Sequence, residues 1–475
     1  MTKTILALTV AMMVAGCSMA PAYQRPAVPG GATWESSAAS IAPRAWKNQF
    51  PDPVLQQLIT TALDNNRDLR VAVLNVQLYE AQYRIQRAST LPTVSADASQ
   101  TRARTPATAS SSGTASISNK YAANVGVTSY ELDLFGRVAS LKEQALETWL
   151  AKDETRRSTQ IALVASVADA YLTLLADRDL LALAEATLQT EQETHALTQK
   201  KYDLGAASEM DLAQSQTSLD SARVSAAQYR RLVNDDRHAL TLLLGTSWPQ
   251  AVKLPATLAG VQLPDVPVGA PSSLLFQRPD ILAAEHSLKA ANANIGAARA
   301  AFFPTISLTA TAGTASTQLG DLFGGGSGAW SFVPQISLPL FDGGKRVADL
   351  DVADIETKQA VATYESTIQT AFKEVASGLD AQKEYVNQLS AQQALVKANE
   401  RYFELADMRY NQGVDSYLTR LDAQRSLFSA RQSLISTRLA LLENQVALYK
   451  AVGGGWQAEE SGAHSSLTAP SPDAE

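Results

Sequence analysis

Cysteine, aromatic side chains, basic clusters and interior proline are all scarce in this 475-residue chain, and each scarcity excludes something. Cys17 is the only cysteine, so no disulfide can close within one chain. Phe, Trp and Tyr together make up 7% of the residues, few for a protein built of several compact cores. The net charge is -7, with no basic block or tail, which argues against a nucleic-acid partner. His195, His238, His286 and His464 are scattered, and no H-E-x-x-H, G-x-S-x-G or Gly-rich phosphate loop is present. The chain therefore reads as no enzyme, with no resident cofactor and no metal. Beyond the first segment no unbroken run of 18 apolar residues occurs, so a membrane crossing is expected to use strands.

What is present begins with an export pattern. Lys3 precedes an apolar run at 5–14, too short for a spanning helix, and Val14-Ala15-Gly16-Cys17 follows. Small residues before a cysteine form a lipobox, in which the thiol is alkylated by a diacylglycerol before cleavage. Residues 1–16 read as a lipoprotein signal peptide and 17–60 as a lipid-anchored periplasmic segment, with Ser18 permitting transfer to the outer membrane. Several acyl chains on Cys17, each CH₂ worth ~0.8 kcal/mol in lipid, would hold firmly.

Long helices are the next expectation. No proline interrupts 107–248 or 340–469, and Gly205 is the only glycine between Arg137 and Leu244. At ~1.5 Å per residue a seventy-residue helix would reach ~105 Å, too long for a compact domain. The two tracts also repeat one another. Tyr202-Asp203-Leu204-Gly205 overlays Tyr410-Asn411-Gln412-Gly413 at a spacing of 208 residues, and Ser208, Gln216 and Arg223 then fall on Ser416, Gln424 and Arg431. The heptads coincide as well, Leu219, Ala226, Val233 and Leu240 with Leu427, Leu434, Leu441 and Leu448. A second seam, Leu421, Phe428, Ile435, Leu442 and Tyr449, means two neighbours per helix. Periodicity alone leaves a tube of helices and a wide-faced bundle equally open.

Each copy carries a strand pair. In the second, Ile306, Leu308, Ala310 and Ala312 alternate with polar residues, and Trp330, Phe332, Pro334, Ile336, Leu338 and Leu340 alternate again. In the first, Val94, Ala96 and Ala98 precede Val125 and Val127, after which Tyr130, Leu132 and Leu134 take the opposite parity. The Ser/Thr/Ala-rich stretch from Arg102 to Lys120 is expected to be a solvated hairpin loop. A soluble hairpin explains each pair taken singly. Four strands cannot close a barrel in lipid, so membrane strands would require several chains to share one barrel, in a number that the strand count leaves open. The resulting map is a first repeat at 61–250 with strands at about 92–134, a linker at 251–275, a second repeat at 276–456 with strands at about 303–341, and a flexible tail at 457–475.

Several phrases resemble the outer membrane factor (TolC-like) family and its lipoprotein efflux branch. They are Trp46-Lys47-Asn48-Gln49-Phe50-Pro51-Asp52-Pro53-Val54-Leu55, Arg278-Pro279-Asp280-Ile281 with Phe303-Pro304-Thr305-Ile306, Gly413-Val414-Asp415-Ser416-Tyr417-Leu418-Thr419, and Leu448-Tyr449-Lys450-Ala451-Val452-Gly453-Gly454-Gly455-Trp456. The resemblance implies a mainly α fold with a transmembrane β part, a homotrimer with a twelve-stranded outer-membrane barrel, and a periplasmic α-helical barrel of twelve staves. It implies an exit duct for small molecules such as drugs, served by a periplasmic adaptor and a proton-driven inner-membrane transporter. An exit duct for secreted polypeptides is the alternative on the same architecture, and a purely structural coiled-coil lipoprotein would leave the strands unexplained.

The resemblance also implies roles. Gly205, Gly413, Val414 and Asp415 fall at helix turns where the adaptor docks. Asp422 falls where an acidic ring closes the periplasmic entrance, with Leu418 and Arg425 at positions that narrow or bridge that gate and Asp211 at an acidic gate position in the first-copy turn. Three carboxylates crowded on an axis repel one another and attract cations. Arg425 is three residues from Asp422, close enough on a helix to offset the repulsion or to tie one stave to the next. The plain alternative is a solvated ion pair worth little. Thr419 stands where the TolC branch has a second acid, so a single ring is expected.

Overall fold

Long stretches of good helix formers without proline give two helices of 67 residues each, and Ser/Thr-rich alternating stretches give four strands. The structure, a computed structural model, describes residues 19–28, 45–111, 113–249, 254–264 and 277–454. The elements are α1 (Pro53–Asn65), α2 (Arg67–Ala88), β1 (Val94–Thr105), β2 (Ser116–Leu132), α3 (Arg137–Asp203) and α4 (Glu209–Leu244), then α5 (Pro279–Ala300), β3 (Thr305–Ser316), β4 (Gly328–Ser337), α6 (Lys345–Asn411) and α7 (Tyr417–Ala451). Helix, two strands and two long helices thus occur twice in the same order. Cys17, Gly455, Trp456 and the 457–475 tail lie outside the described residues.

The chain divides into two compact units. The first comprises 1–27, 75–153 and 283–365 and holds the sheet. All four strands pair antiparallel in the order β1-β2-β3-β4, leaving β1 and β4 as edges. The parity switch in β2 is a β-bulge. Val127 pairs with Ala310 but Tyr130 with Leu308, so β2 carries one extra residue. Ser129 sits there at φ 54°, its N–H donating to Thr309 Oγ1 at 3.1 Å. The expected loop from Arg102 to Lys120 is ladder at both ends, since Arg102 pairs with Asn119 and Thr105 with Ser116, and only the stretch between Thr105 and Ser116 connects the strands. Its Ser, Thr and Ala content carries no period-2 apolar signal, but the backbone still pairs. Helix segments lie side by side in the same unit. Tyr83 of α2 stacks on Trp149 of α3 at 5.7 Å, Glu147 of α3 meets His286 of α5 at 2.6 Å, and Asn294 of α5 reaches Glu356 of α6 at 3.4 Å.

The second unit comprises 28–74, 154–282 and 366–475 and holds the main apolar core. Val164, Val167, Tyr171, Leu174 and Leu175 of α3 meet Leu55, Leu58 and Ile59 of α1, Leu240 and Leu244 of α4, and Val446 and Tyr449 of α7. This stretch of α3 therefore packs against three other helices at once. One 18-residue stretch of this helix has a mean hydropathy of 1.5, long and apolar enough for a span, but 61% of it is buried within the chain. The Trp46-to-Leu55 phrase is explained by the same core. Phe50 meets the Tyr449 ring edge-on at 5.2 Å, and Asp52 caps α1 by accepting from Val54 N at 2.8 Å. Asp52 also accepts from Tyr171 Oη at 2.5 Å.

Gly245 ends α4 at φ 66°, and a Cβ there would lie 2.3 Å from the Asn65 carbonyl oxygen. Gly245→Ala is expected to destabilise by about 2 kcal/mol or more, from backbone strain and the clash together. Thermal unfolding followed by circular dichroism would measure it.

Candidate functional site: the helix turns and the lower part of the second hairpin

Both hairpin turns are built alike. Gly205 and Gly413 share φ 73°, a value that favours glycine. Ala206 N donates to Lys201 O at 2.7 Å and Val414 N to Arg409 O at 2.9 Å, the bond that closes a helix C-terminus. A Cβ at either glycine would meet nothing within 4 Å, so both turns face open space. The next helix is capped by Ser208 or Ser416.

Here the copies diverge. Asp211 completes a capping box, its carboxylate accepting from Ser208 N at 3.0 Å and Ser208 Oγ at 2.7 Å. The equivalent Thr419 cannot do this with a carboxylate. Asp415 is instead gripped by Arg409 at 2.6 and 3.0 Å, and that guanidinium holds its carboxyl below the usual range. Val414 and Leu418, each 59% exposed, flank this pair.

Asp422 is exposed on α7, and Tyr402 Oη reaches it only at 3.5 Å. Arg425 forms no ion pair with it among the described residues. Arg425 instead lines a cavity of about 150 Å³ with Glu191, Ser218, Leu421, Gln424 and Phe428. Glu191 is buried there, and burial pushes its carboxyl up against the opposing pull of Arg420 and Arg425.

The residue that sequence reading missed is Arg420. Its side chain is 9% exposed and its Nε donates to Asp407 Oδ1 of α6 at 2.6 Å. The guanidinium lies over Phe403 at 5.7 Å and Tyr410 at 5.9 Å, and Lys201 lies over the same Tyr410 ring at 4.9 Å. One arginine thus fastens α7 to α6, and the shared tyrosine carries the link to α3. The signal was in the repeat: Asp407, Arg420, Asp422 and Arg425 overlay Gln199, Leu212, Gln214 and Thr217. Charge enters the second copy where the first is neutral.

No group of three or more His, Cys, Asp or Glu among the described residues is placed to hold a metal. Comparison with known proteins gives the setting. The sequence profile described as "Outer membrane efflux protein" matches residues 58–246 and 270–454. The toluene efflux pump outer membrane protein TtgC of Pseudomonas putida is 52% identical over 482 residues, covering 99% of this chain and all of that one. OprJ of Pseudomonas aeruginosa is 42% identical, covering 96% and 97%. Among solved structures, a membrane protein from Pseudomonas aeruginosa superposes with TM-score 0.87 at 42% identity, over 93% of this chain and 98% of that one. The open-state MtrE outer membrane channel of Neisseria gonorrhoeae gives 0.83 at 38%, over 92% and 98%. The fold is that of the trimeric outer membrane efflux channels, with a β part and a helical barrel. The expectation of a TolC-like exit channel in the outer membrane is met, and the chain belongs to the outer membrane efflux protein family.

Proposed function

We propose that the trimer is a passive conduit for small apolar and amphipathic molecules, closed at the end of the helical hairpins by Asp422 and Leu418 and released there by movement of α7. The observation that carries this reading is the contrast between Arg420, buried and fastened to α6, and Asp422, exposed two residues later. Arg420 holds α7 in place, and three Asp422 carboxylates brought together on a three-fold axis would repel one another and attract cations. Arg425 and Asp211 flank the same end. Gly205, Gly413, Val414 and Asp415 offer the adaptor two open turns, one stiffened by Arg409. Relatives named for toluene, solvent and antibiotic efflux support a cargo of that kind. The chain catalyses nothing and binds no cofactor, and the energy comes from the inner-membrane transporter. A lipid on Cys17 anchors the subunit.

Conductance in planar bilayers tests the gate. Asp422→Ala and Arg420→Ala are each expected to raise the resting conductance, and to admit large antibiotics when expressed in cells. Wild-type conductance in both variants would sink the assignment. Cys17→Ser is expected to abolish palmitate labelling, and label that persists would rule out the anchor.

A further inference from the structure

Within the second unit, the cavity beside Arg425 holds two buried polar atoms that the fold leaves unmatched. Its walls come from α3 (Ala184, Glu191), α4 (Ser218, Ala222) and α7 (Leu421, Phe428), and its volume is about 150 Å³. Glu191 and Ser218 are 4% and 6% exposed, yet Glu191 Oε2 and Ser218 Oγ each lack a hydrogen-bond partner in the chain. Tyr417 Oη, which also lacks a partner, lies near both. Leaving one such atom unmet inside a protein is costly, and two in one cavity point to a molecule that enters and meets them.

The remaining wall sets the size and character of that molecule. Ala184, Ala222 and Leu421 are buried and Phe428 is half-buried. An apolar cavity of about 150 Å³ accommodates one benzene ring. Arg425 is exposed at the rim, so the cavity opens to solvent. Charge narrows the choice further. Arg425 makes no ion pair among the described residues, and Arg420 on the same helix also acts on Glu191. A cation would meet these guanidinium groups, and an anion would meet the Glu191 carboxylate. A plain hydrocarbon would leave both oxygens unmet, and water would meet them but leave the apolar wall wet. A hydroxyl on a single aromatic ring satisfies both demands. Its O–H can donate to a carboxylate oxygen while its oxygen accepts from a serine, and the ring covers apolar surface.

We propose that this cavity is a binding site for a neutral, single-ring phenol, held by Glu191 and Ser218 with its ring against Ala184, Ala222, Leu421 and Phe428. The hydroxyl donates to Glu191 Oε2 and accepts from Ser218 Oγ. Leu421 adjoins Asp422 in the chain, so a bound ring sits beside the segment that carries the gate carboxylate. The site is separate from the gate assignment, because a phenol would bind whether or not Asp422 closes the duct.

Ligand-observed NMR titration of phenol against the full-length protein in lipid nanodiscs tests the site, with protein-free nanodiscs subtracted for partition into lipid. Wild type is expected to bind phenol saturably, and toluene and benzylamine each about tenfold more weakly. Ser218→Ala is expected to weaken phenol binding about fivefold and Glu191→Gln about tenfold, as a neutral and a charged hydrogen bond are lost. Ala222→Leu fills the cavity and is expected to abolish binding. Circular dichroism is expected to show unchanged helix content in all three variants. Ser218→Ala removes a single oxygen, so its result stands even if the bulkier variant loses helix. Absence of saturable binding to wild type would overturn the proposal and leave a cavity that holds water only. Equal phenol binding by wild type and all the folded variants, or toluene or benzylamine binding as tightly as phenol, would overturn it as well.

Discussion

Arg278→Ala is expected to cost about 3–5 kcal/mol, the loss that follows when one partner of a buried ion-pair network is removed. The Arg278 side chain is 6% exposed and donates in three directions. Nη1 reaches the Ala451 carbonyl at 2.7 Å, near the end of α7. Nη2 reaches Asp280 Oδ2 at 2.6 Å, in the first turn of α5, and Glu374 Oε2 of α6 at 2.9 Å. Without the guanidinium, a helix-terminal carbonyl and two carboxylates lose their common donor. Asp280 and Glu374 are 36% and 42% exposed and can rehydrate in part, which sets the loss toward the lower end of that range. Arg278→Lys is expected to recover little, because one ammonium cannot span three acceptors in a fixed fork. Thermal unfolding of both variants, together with the yield of trimer, measures the effect. A fall of less than about 1 kcal/mol would mean that the network is ornamental.

Arg278 also shows what a linear reading can and cannot recover. The phrase beginning at Arg278 and the phrase ending the second repeat were both visible as strings. Their physical connection spans 173 residues and needed the fold. The hairpins were legible because glycine and serine recur at a constant interval, and both features act locally, one by φ and one by a cap. The bulge at Ser129 was legible as a change of parity between Val127 and Tyr130, although only the ladder identifies it as one extra residue. Arg102 to Lys120 misled because a strand with little apolar content announces itself by pairing rather than by pattern. At the candidate gate, Asp422 and Leu418 were read from resemblance, whereas Arg420 was passed over. An arginine at helical spacing looks solvated until its ring contacts and Asp407 are seen.

The second large effect concerns carboxylates that the fold buries beside other carboxylates. Asp169 of α3 has a buried Oδ1 with no hydrogen-bond partner, and burial followed by the charge of Glu443 on α7 pushes it up to about 7. On the facing α4, Asp236 is pushed up to about 7 by burial and by Asp177. An unfolded aspartate titrates near about 3.9, so between about pH 4 and pH 7 the folded chain retains protons that the unfolded chain has released. The sign follows directly. The stability contributed by these sites is complete below about pH 4, declines as pH rises through about 7, and stays low above that. Asp169→Asn and Asp236→Asn keep the shape and remove the charge, so each is expected to stabilise the protein at about pH 8 by about 1–2 kcal/mol after discounting for partial solvation. The two sites lie on different helix contacts and share no partner, so the double variant is expected to gain close to the sum. Its unfolding midpoint is expected to vary less between about pH 5 and pH 8 than that of the wild type. A double variant less stable than wild type at that alkaline end would show that these carboxylates are satisfied as anions, by a cation that a neighbouring subunit supplies.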